Sequence, residues 1–332
     1  MCDDGVVERI EEARRAVTSH DVARQAGVSR STVSNILNGK GERYPDATHQ
    51  RVLAAATALD YRPSLAGRSL KSGRSDTIVV LLPNTTFGSN LQDAVDQVVE
   101  STGPRAGNVV VRFASETPKA TRDAVLALRP LALVDLGVLS PEDRDYLEDR
   151  GTIITPRRPL TSTLDGGIAE LQADALLAKG PKPLWFAAIA DQRDDLYGPY
   201  RLAGLREYCA QHGIPEPRQV NVPIDAPGGA AAIRQILAEG APVGVACYND
   251  DVALALLAGA RDLGLRVPEE IAIIGVDNTR VGQLWSPQLS SVDTSFRELI
   301  SGIASDLRAR LDGQIAPPIP TPKFRLVAGG TH

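Results

Sequence analysis

Residues Asp21–Asn38 read DVARQAGVSRSTVSNILN, and the apolar residues among them (Val22, Ala23, Ala26, Val28, Val33, Ile36, Leu37) are few and small. Thr18 and Asp21 have the [ST]-x-x-[DE] spacing of a capping box, which predicts a helix starting at about Ser19. Val22, Ala23 and Ala26 give that helix a narrow apolar face. Gly27 suits a tight turn, because a positive φ is cheap only for glycine. Ser29 is a good N-cap for a second helix to about Leu37, with Val33 and Leu37 inward and Asn38-Gly39 as its stop. A third helix, about Ala47 to Leu59, offers Val52, Leu53, Ala56 and Leu59 to close a three-helix core. Two short helices joined by a Gly-containing turn make a helix-turn-helix.

That geometry accounts for the lack of bulk. The N-terminal end of the second helix is the part that enters the major groove of DNA, where a large apolar face has no use. Arg30 and Ser31 fall in its first turn and Asn35 one turn along the same face. Arg pairs bidentately with guanine and Asn with adenine. Thr32, Ser34 and the helix N-terminus suit phosphate contacts, which position without reading sequence.

Charge agrees. Between Thr18 and Ser75 there are nine basic and four acidic residues, a net of +5, whereas the whole chain carries −5. The rest therefore totals −10: a small basic module on an acidic body, as expected of a surface made for a polyanion.

These residues carry a family resemblance. The stretch TSHDVARQAGVSRSTVSNILNGKG, followed by THQRVLAAATALDYRPSLAGRSLKSGRSDTIVVLLP, resembles the N-terminal region of the lactose-repressor/galactose-repressor family of bacterial transcription regulators. The resemblance implies that Arg30, Ser31 and Asn35 face base edges, with Thr32 and Ser34 on the backbone and Ser29 and Asn38 in the same DNA-binding set. Asn35 stands where arginine is commonest, so the operator need not match the family's usual half-site.

After the third helix, RPSLAGRSLKSGRS (Arg62–Ser75) has Pro63 as a breaker and Ser64 as a cap for about two turns, Leu65 to Lys71. So short a helix does not hold alone in water. The resemblance makes it a hinge that folds on operator DNA, pairs with its dimer mate and wedges Leu70 into the minor groove with Lys71 nearby. Gly67 stands where alanine is usual, which weakens such a helix.

From Thr77 onward, apolar runs of buried-strand length alternate with helical patterns: Thr77–Pro83, Asn108–Ala114, Leu131–Gly137 and Gly151–Pro156, then Pro183–Ala190, Arg218–Ile224, Val243–Tyr248 and Ile271–Asp277. The helical patterns lie at about 89–102, 117–129, 141–149, 199–212, 228–239 and 250–263. Two such series imply two α/β subdomains with parallel sheets, and ligands of such sheets bind beyond the carboxyl ends of the strands. Asn84, Asn249, Asp250, Asp277 and Asn278 follow strands. Asp165 falls at the crossover between the series, and Arg201 opens a helix. Each can make paired hydrogen bonds to hydroxyl or amide groups, but Asp and Asn after strands also serve as helix caps.

The resemblance continues here in YRLAGL, YNDDVALALLAGARDLGLRVPEEIAIIGVDN and SPQLSSV. It implies Arg201, Asn249 and Asp277 as effector contacts, with Asn84 and Asp165 as further candidates. The first subdomain departs from the pattern: PNTTFGSN replaces the usual Asp and Asn-Pro-Phe, and Asp165-Gly166 the usual Asp-Asn. A sugar effector is therefore not simply inherited, and the ligand is expected to be carbohydrate-like or nucleobase-like. The tail carries no heptad pattern for a tetramerisation helix.

The expected architecture is a small all-α helix-turn-helix domain plus hinge helix, followed by a periplasmic-binding-protein-like α/β core of two subdomains with parallel sheets. Its expected divisions are an extension at 1–17, the helix-turn-helix at 18–62, the hinge at 63–75 and the core at 76–332. Within the core, the N-subdomain takes about 76–164 and 294–318, and the C-subdomain about 165–293 and 319–332. The expected function is a regulator, and specifically a repressor, that binds a pseudo-palindromic double-stranded operator as a homodimer under effector control. A DNA-binding dimer whose core senses no small molecule, or answers to a protein partner, is the alternative. No phosphate loop and no G-x-S-x-G elbow is present, so no catalytic residue and no cofactor is expected. Three scattered cysteines and four scattered histidines give no metal spacing. The acidic N-terminus and the lack of long apolar runs suggest a cytoplasmic, nucleoid-associated protein rather than an exported solute binder.

Overall fold

The computed structural model describes residues 17–37, 41–61, 75–83, 90–102, 108–157, 167–190 and 197–332. The chain divides into two compact units, Met1–Ser75 and Asp76–His332.

The first unit holds three helices: α1 (Ser19–Ala26), α2 (Arg30–Leu37) and α3 (Asp46–Ala58). At the start of α1 the Asp21 carboxylate accepts the Thr18 backbone N–H at 3.0 Å and the Thr18 hydroxyl at 2.7 Å, which satisfies an N–H that lies ahead of the helix. Gly27 ends the helix at φ 65°. An added Cβ would meet nothing within 4 Å there, so conformation and not space calls for glycine. Val22, Ala23, Ala26, Val33, Ile36, Val52, Ala55 and Ala56 form the core. Two expectations change. Ile36 takes the buried place beside Val33 while Leu37 is only partly covered, and Leu53 is 52% exposed. Val52, Ala55 and Ala56 form the buried face of α3, and Leu53, one residue on from Val52, is turned off that face.

The second unit holds two sheets. The first has the order β2-β1-β3-β4, with β1 Thr77–Leu82, β2 Asn108–Phe113, β3 Ala132–Asp135 and β4 Ile153–Thr155, all parallel. Its helices are α4 (Asn90–Thr102), α5 (Pro118–Leu128) and α6 (Pro141–Glu148). Strands β1 and β3 are wholly buried, which is why their runs are mostly apolar, with Asp135 at the end of β3 buried against Arg144.

The second sheet has the order β10-β9-β8-β7-β5-β6. It comprises β5 (Leu184–Ile189), β6 (Arg218–Val222), β7 (Val243–Cys247), β8 (Ile271–Val276), β9 (Ser290–Asp293) and β10 (Arg325–Val327), with only β10 antiparallel. Around it lie α7 (Ile168–Leu177), α8 (Gly198–Gln211), α9 (Ala226–Ile236), α10 (Asp250–Asp262) and the short α11 (Arg280–Leu284). The last helix, α12 (Phe296–Leu311), returns to the first sheet, where Leu299, Ile300, Ile303 and Leu307 join the core of Ile78, Val80 and Val134. Its Asp306 accepts the Thr155 hydroxyl at 2.6 Å in a buried contact. Among the described residues no helix is long and apolar enough to cross a membrane.

Candidate nucleic-acid interface and ligand cleft

Helix α2 begins with Ser29 as its cap: Ser29 Oγ accepts the Thr32 N–H at 3.1 Å and lies 2.7 Å from Ser31 Oγ and 2.8 Å from Thr32 Oγ1. Three hydroxyls thus crowd the helix N-terminus, where first-turn N–H groups have no acceptor within the helix. Ser29, Arg30 and Ser31 are exposed, while Thr32, Ser34 and Asn35 are partly buried. The helix therefore presents Arg30 and a hydroxyl-rich, donor-rich end to the outside, with positive dipole character at the same point.

Asn35 is not a free reader. Its Nδ2 donates to the Tyr44 hydroxyl at 3.0 Å, and Arg43 donates to the same oxygen at 3.1 Å. These two donated bonds hold the Tyr44 phenol below its ordinary range. Tyr44 is absent from the residues singled out in the sequence because it stands alone in the segment ahead of α3, outside any helical period. Asn38, Leu70 and Lys71, with all of the expected hinge (63–75) except Ser75, lie outside the described residues.

In the second unit, the carboxyl ends of β7 and β8 gather the other candidates. Arg201, on the first turn of α8, is buried. Its guanidinium stands 4.9 Å from the Tyr248 ring and 5.8 Å from the Tyr197 ring, and it donates to the Tyr248 carbonyl. Asp277 follows β8 at φ 99° and Asn278 follows it at φ 49°. This left-handed turn is held to β9 by Asp277 N–H to Val292 O and Asn278 N–H to Ser291 Oγ, both 2.9 Å. Burial pushes the Asp277 carboxyl up; the Arg201 guanidinium opposes that shift and Asp251 adds to it. Arg201 and Asp277 are thus electrostatic neighbours.

Asn249 caps a helix through its side-chain oxygen. It is the N-cap of α10, its Oδ1 accepting the Val252 N–H at 3.0 Å, and it is almost wholly buried. Asp250, beside it, points into the protein and accepts from Ser291 and Thr279. Asn84 and Asp165 lie outside the described residues.

A helix-turn-helix unit followed by a two-sheet α/β unit, with polar residues drawn to the strand ends, defines a one-chain DNA-binding regulator. Residues 18–64 match the family described as bacterial regulatory proteins, lacI family, and residues 173–332 match the periplasmic binding protein-like domain. The HTH-type transcriptional repressor PurR of Erwinia tasmaniensis is 30% identical over 316 residues, covering 87% of this chain and 91% of its own. The HTH-type transcriptional regulator AscG of Escherichia coli is 27% identical over 319 residues, covering 91% and 94%. The crystal structure of the lac repressor dimer bound to operator and the anti-inducer ONPF has the same fold, with a TM-score of 0.71 at 23% identity over 96% of this chain and 99% of that one. The chain belongs to the lacI family of bacterial regulatory proteins, and so to the DNA-binding regulators of transcription.

Proposed function

We propose that the protein is a cytoplasmic, homodimeric repressor of transcription that reads a pseudo-palindromic operator and is controlled by a small-molecule effector. The observation that carries this reading is the N-terminal turn of α2, where exposed Arg30 and Ser31 stand beside the Ser29 and Thr32 hydroxyls at a donor-rich helix end. Arg30 and Asn35 are assigned to base edges, Thr32 and Ser34 to phosphate. Two-fold symmetry in the protein then requires two half-sites.

The effector is assigned to a cleft between an N-subdomain (76–164 and 294–318) and a C-subdomain (165–293 and 319–332). Arg201 and Asp277 are its described polar contacts, and the left-handed turn at Asp277-Asn278 supports this, since such backbone concentrates at binding sites. Asn249 commits its carboxamide oxygen to the helix cap, and its amino group is assigned to the effector. A donor-acceptor pair of guanidinium and carboxylate flanked by Tyr197 and Tyr248 suits a ligand of carbohydrate-like or nucleobase-like character. Effector binding that shifts the subdomains alters the spacing of the paired hinges, and the coupling is reciprocal: an inducer binds less tightly when operator is present.

A thermal-shift screen against sugars, polyols, sugar phosphates and nucleobases tests the effector. A ligand at 100 times its Kd adds about 2.7 kcal/mol of stability. A hit that vanishes in Arg201→Ala and Asp277→Ala identifies the class. Silence across the panel favours a DNA-binding dimer whose core senses no small molecule.

A further inference from the structure

The helix-turn-helix unit contains a contact that the base-reading assignment does not use. Tyr44 packs its ring against the edge of the three-helix core, yet its hydroxyl reaches α2 at Asn35, 3.0 Å from Nδ2. Arg43, exposed beside it, donates to the same oxygen at 3.1 Å and holds its guanidinium 5.2 Å from the ring centroid. A segment outside α2 therefore grips the side chain that stands one turn along the reading face.

The chemistry of the grip is specific. A carboxamide has two N–H groups and one carbonyl oxygen. With one N–H committed to Tyr44, Asn35 keeps one N–H and Oδ1, the donor–acceptor pair that matches N7 and the N6 amino group of adenine. Tyr44 leaves that pair intact and removes rotamer freedom that binding would otherwise have to remove. Ordering one such side chain in advance corresponds to about a 2- to 10-fold gain in affinity.

We propose that Tyr44 is a specificity-determining residue of the DNA-binding unit, its hydroxyl fixing the Asn35 carboxamide in the orientation that selects one base pair in each half-site. Tyr44 is a positioning residue in this role: it acts through Asn35, and the inference rests on α2 being the reading helix.

The test uses the full-length protein and duplexes selected by it from a randomised pool, followed by a series in which each half-site position carries each of the four base pairs. Asn35→Ala flattens the preference at one position, by on the order of 5- to 100-fold for the favoured base pair. Tyr44→Phe, which keeps the ring, flattens the same position by about 2- to 10-fold and leaves the others unchanged. In an Asn35→Ala background it adds nothing. If Tyr44→Phe lowers the melting temperature, the ratio between base pairs still reports, because loss of folded protein scales every duplex alike. A uniform loss across the series, or no change at all, overturns the inference. So does Arg30→Ala flattening a position while Asn35→Ala flattens none, an outcome that leaves α2 as the reading helix. If neither variant flattens any position, the α2 reading falls and the inference falls with it.

Discussion

The Asp250 carboxylate accepts the backbone N–H of Thr279 at 2.6 Å, tying the start of α10 to the turn that follows β8. The same carboxylate accepts the Thr279 hydroxyl at 3.0 Å and the Ser291 hydroxyl at 2.6 Å. It is fully buried and lies against β8 so closely that a Cβ on Gly275 would sit 2.1 Å from Oδ1. One side chain thus joins the end of β7, the Asp277 turn and β9, and it fixes the loop that carries Asp277 into the proposed cleft.

This strut gives the protein a pH-dependent stability. Burial raises the Asp250 pKa to about 7, against the hydrogen bonds from Ser291 and Thr279 that favour the carboxylate. In the unfolded chain this group titrates at the ordinary aspartate value of 3.8. The folded state therefore binds the proton more tightly, and the stability from this site is greatest at low pH, falls as pH rises from about 4 to about 7, and is flat above. Asp250→Asn removes the titration. Stability measured by denaturant at several pH values should show the difference between wild type and Asp250→Asn declining over that window. A difference independent of pH between 4 and 8 would contradict the assignment. Asp250→Ala, which strips the acceptor from three donors, should cost most at low pH, on the order of 2–4 kcal/mol, with the cost shrinking as pH rises through the same window.

Arg30 stands exposed in the first turn of α2, and a bidentate contact to guanine is worth about 1–3 kcal/mol of discrimination. Arg30→Ala should weaken operator binding by that amount and relax the preference at one base pair per half-site. An equal loss on every sequence, with a shallower salt dependence, would make Arg30 a phosphate contact instead. Ser29→Ala removes the cap that holds Thr32 N–H. It should lower the stability of the first unit by about 1 kcal/mol.

Helices α9 and α10 meet backbone to backbone. A Cβ at Gly229 would lie 1.9 Å from Ala255 O, and one at Gly259 would lie 2.3 Å from Ala230 N. Neither atom belongs to a flexible side chain, so a methyl group there must push the helices apart. Gly259→Ala should therefore destabilise the second unit by about 1–3 kcal/mol, despite the gain alanine ordinarily brings inside a helix. A raised melting temperature for Gly259→Ala would show that the helices are not held this close.

The readability of the chain follows from what its residues must do. Strands β1, β3, β5, β7 and β8 are covered on both faces, so their runs are mostly apolar and plain in the sequence. Strand β9 escaped because its Ser290 and Ser291 are buried by hydrogen bonding rather than by apolar character. Helix α12 has a clear apolar period but lies beyond the last continuously apolar strand, outside the strand–helix alternation. At the candidate sites, the cap of α2 was legible because capping is a local rule. Asn249 was ambiguous because a post-strand Asn reads alike as a cap and as a ligand contact; the 3.0 Å bond to Val252 N–H establishes the cap, and the Nδ2 amino group remains chemically suited to a ligand. Tyr44 could not be found at all: its link to Asn35 spans the end of α2 and the segment before α3, and no periodicity relates them.

Among the described residues, strand β2 is an edge of the first sheet and pairs with β1. Val111 is 38% exposed and Phe113 45%, and Val99 on the neighbouring α4 is 47% exposed. An edge strand that shows β-branched and aromatic side chains to water invites pairing unless something covers it. Under the proposed two-fold dimer, a second copy of the chain is the expected cover. Phe113→Arg puts a charge into that face, where an unpaired buried cation is strongly disfavoured, while leaving the β1 pairing and the fold of the monomer intact. Sedimentation of the variant should show the mass of a single 35.3 kDa chain where the wild type shows twice that. Operator affinity should drop with the dimer, because each half-site is then bound without its neighbour. A Phe113→Arg protein that remains dimeric would place the interface elsewhere on the second unit.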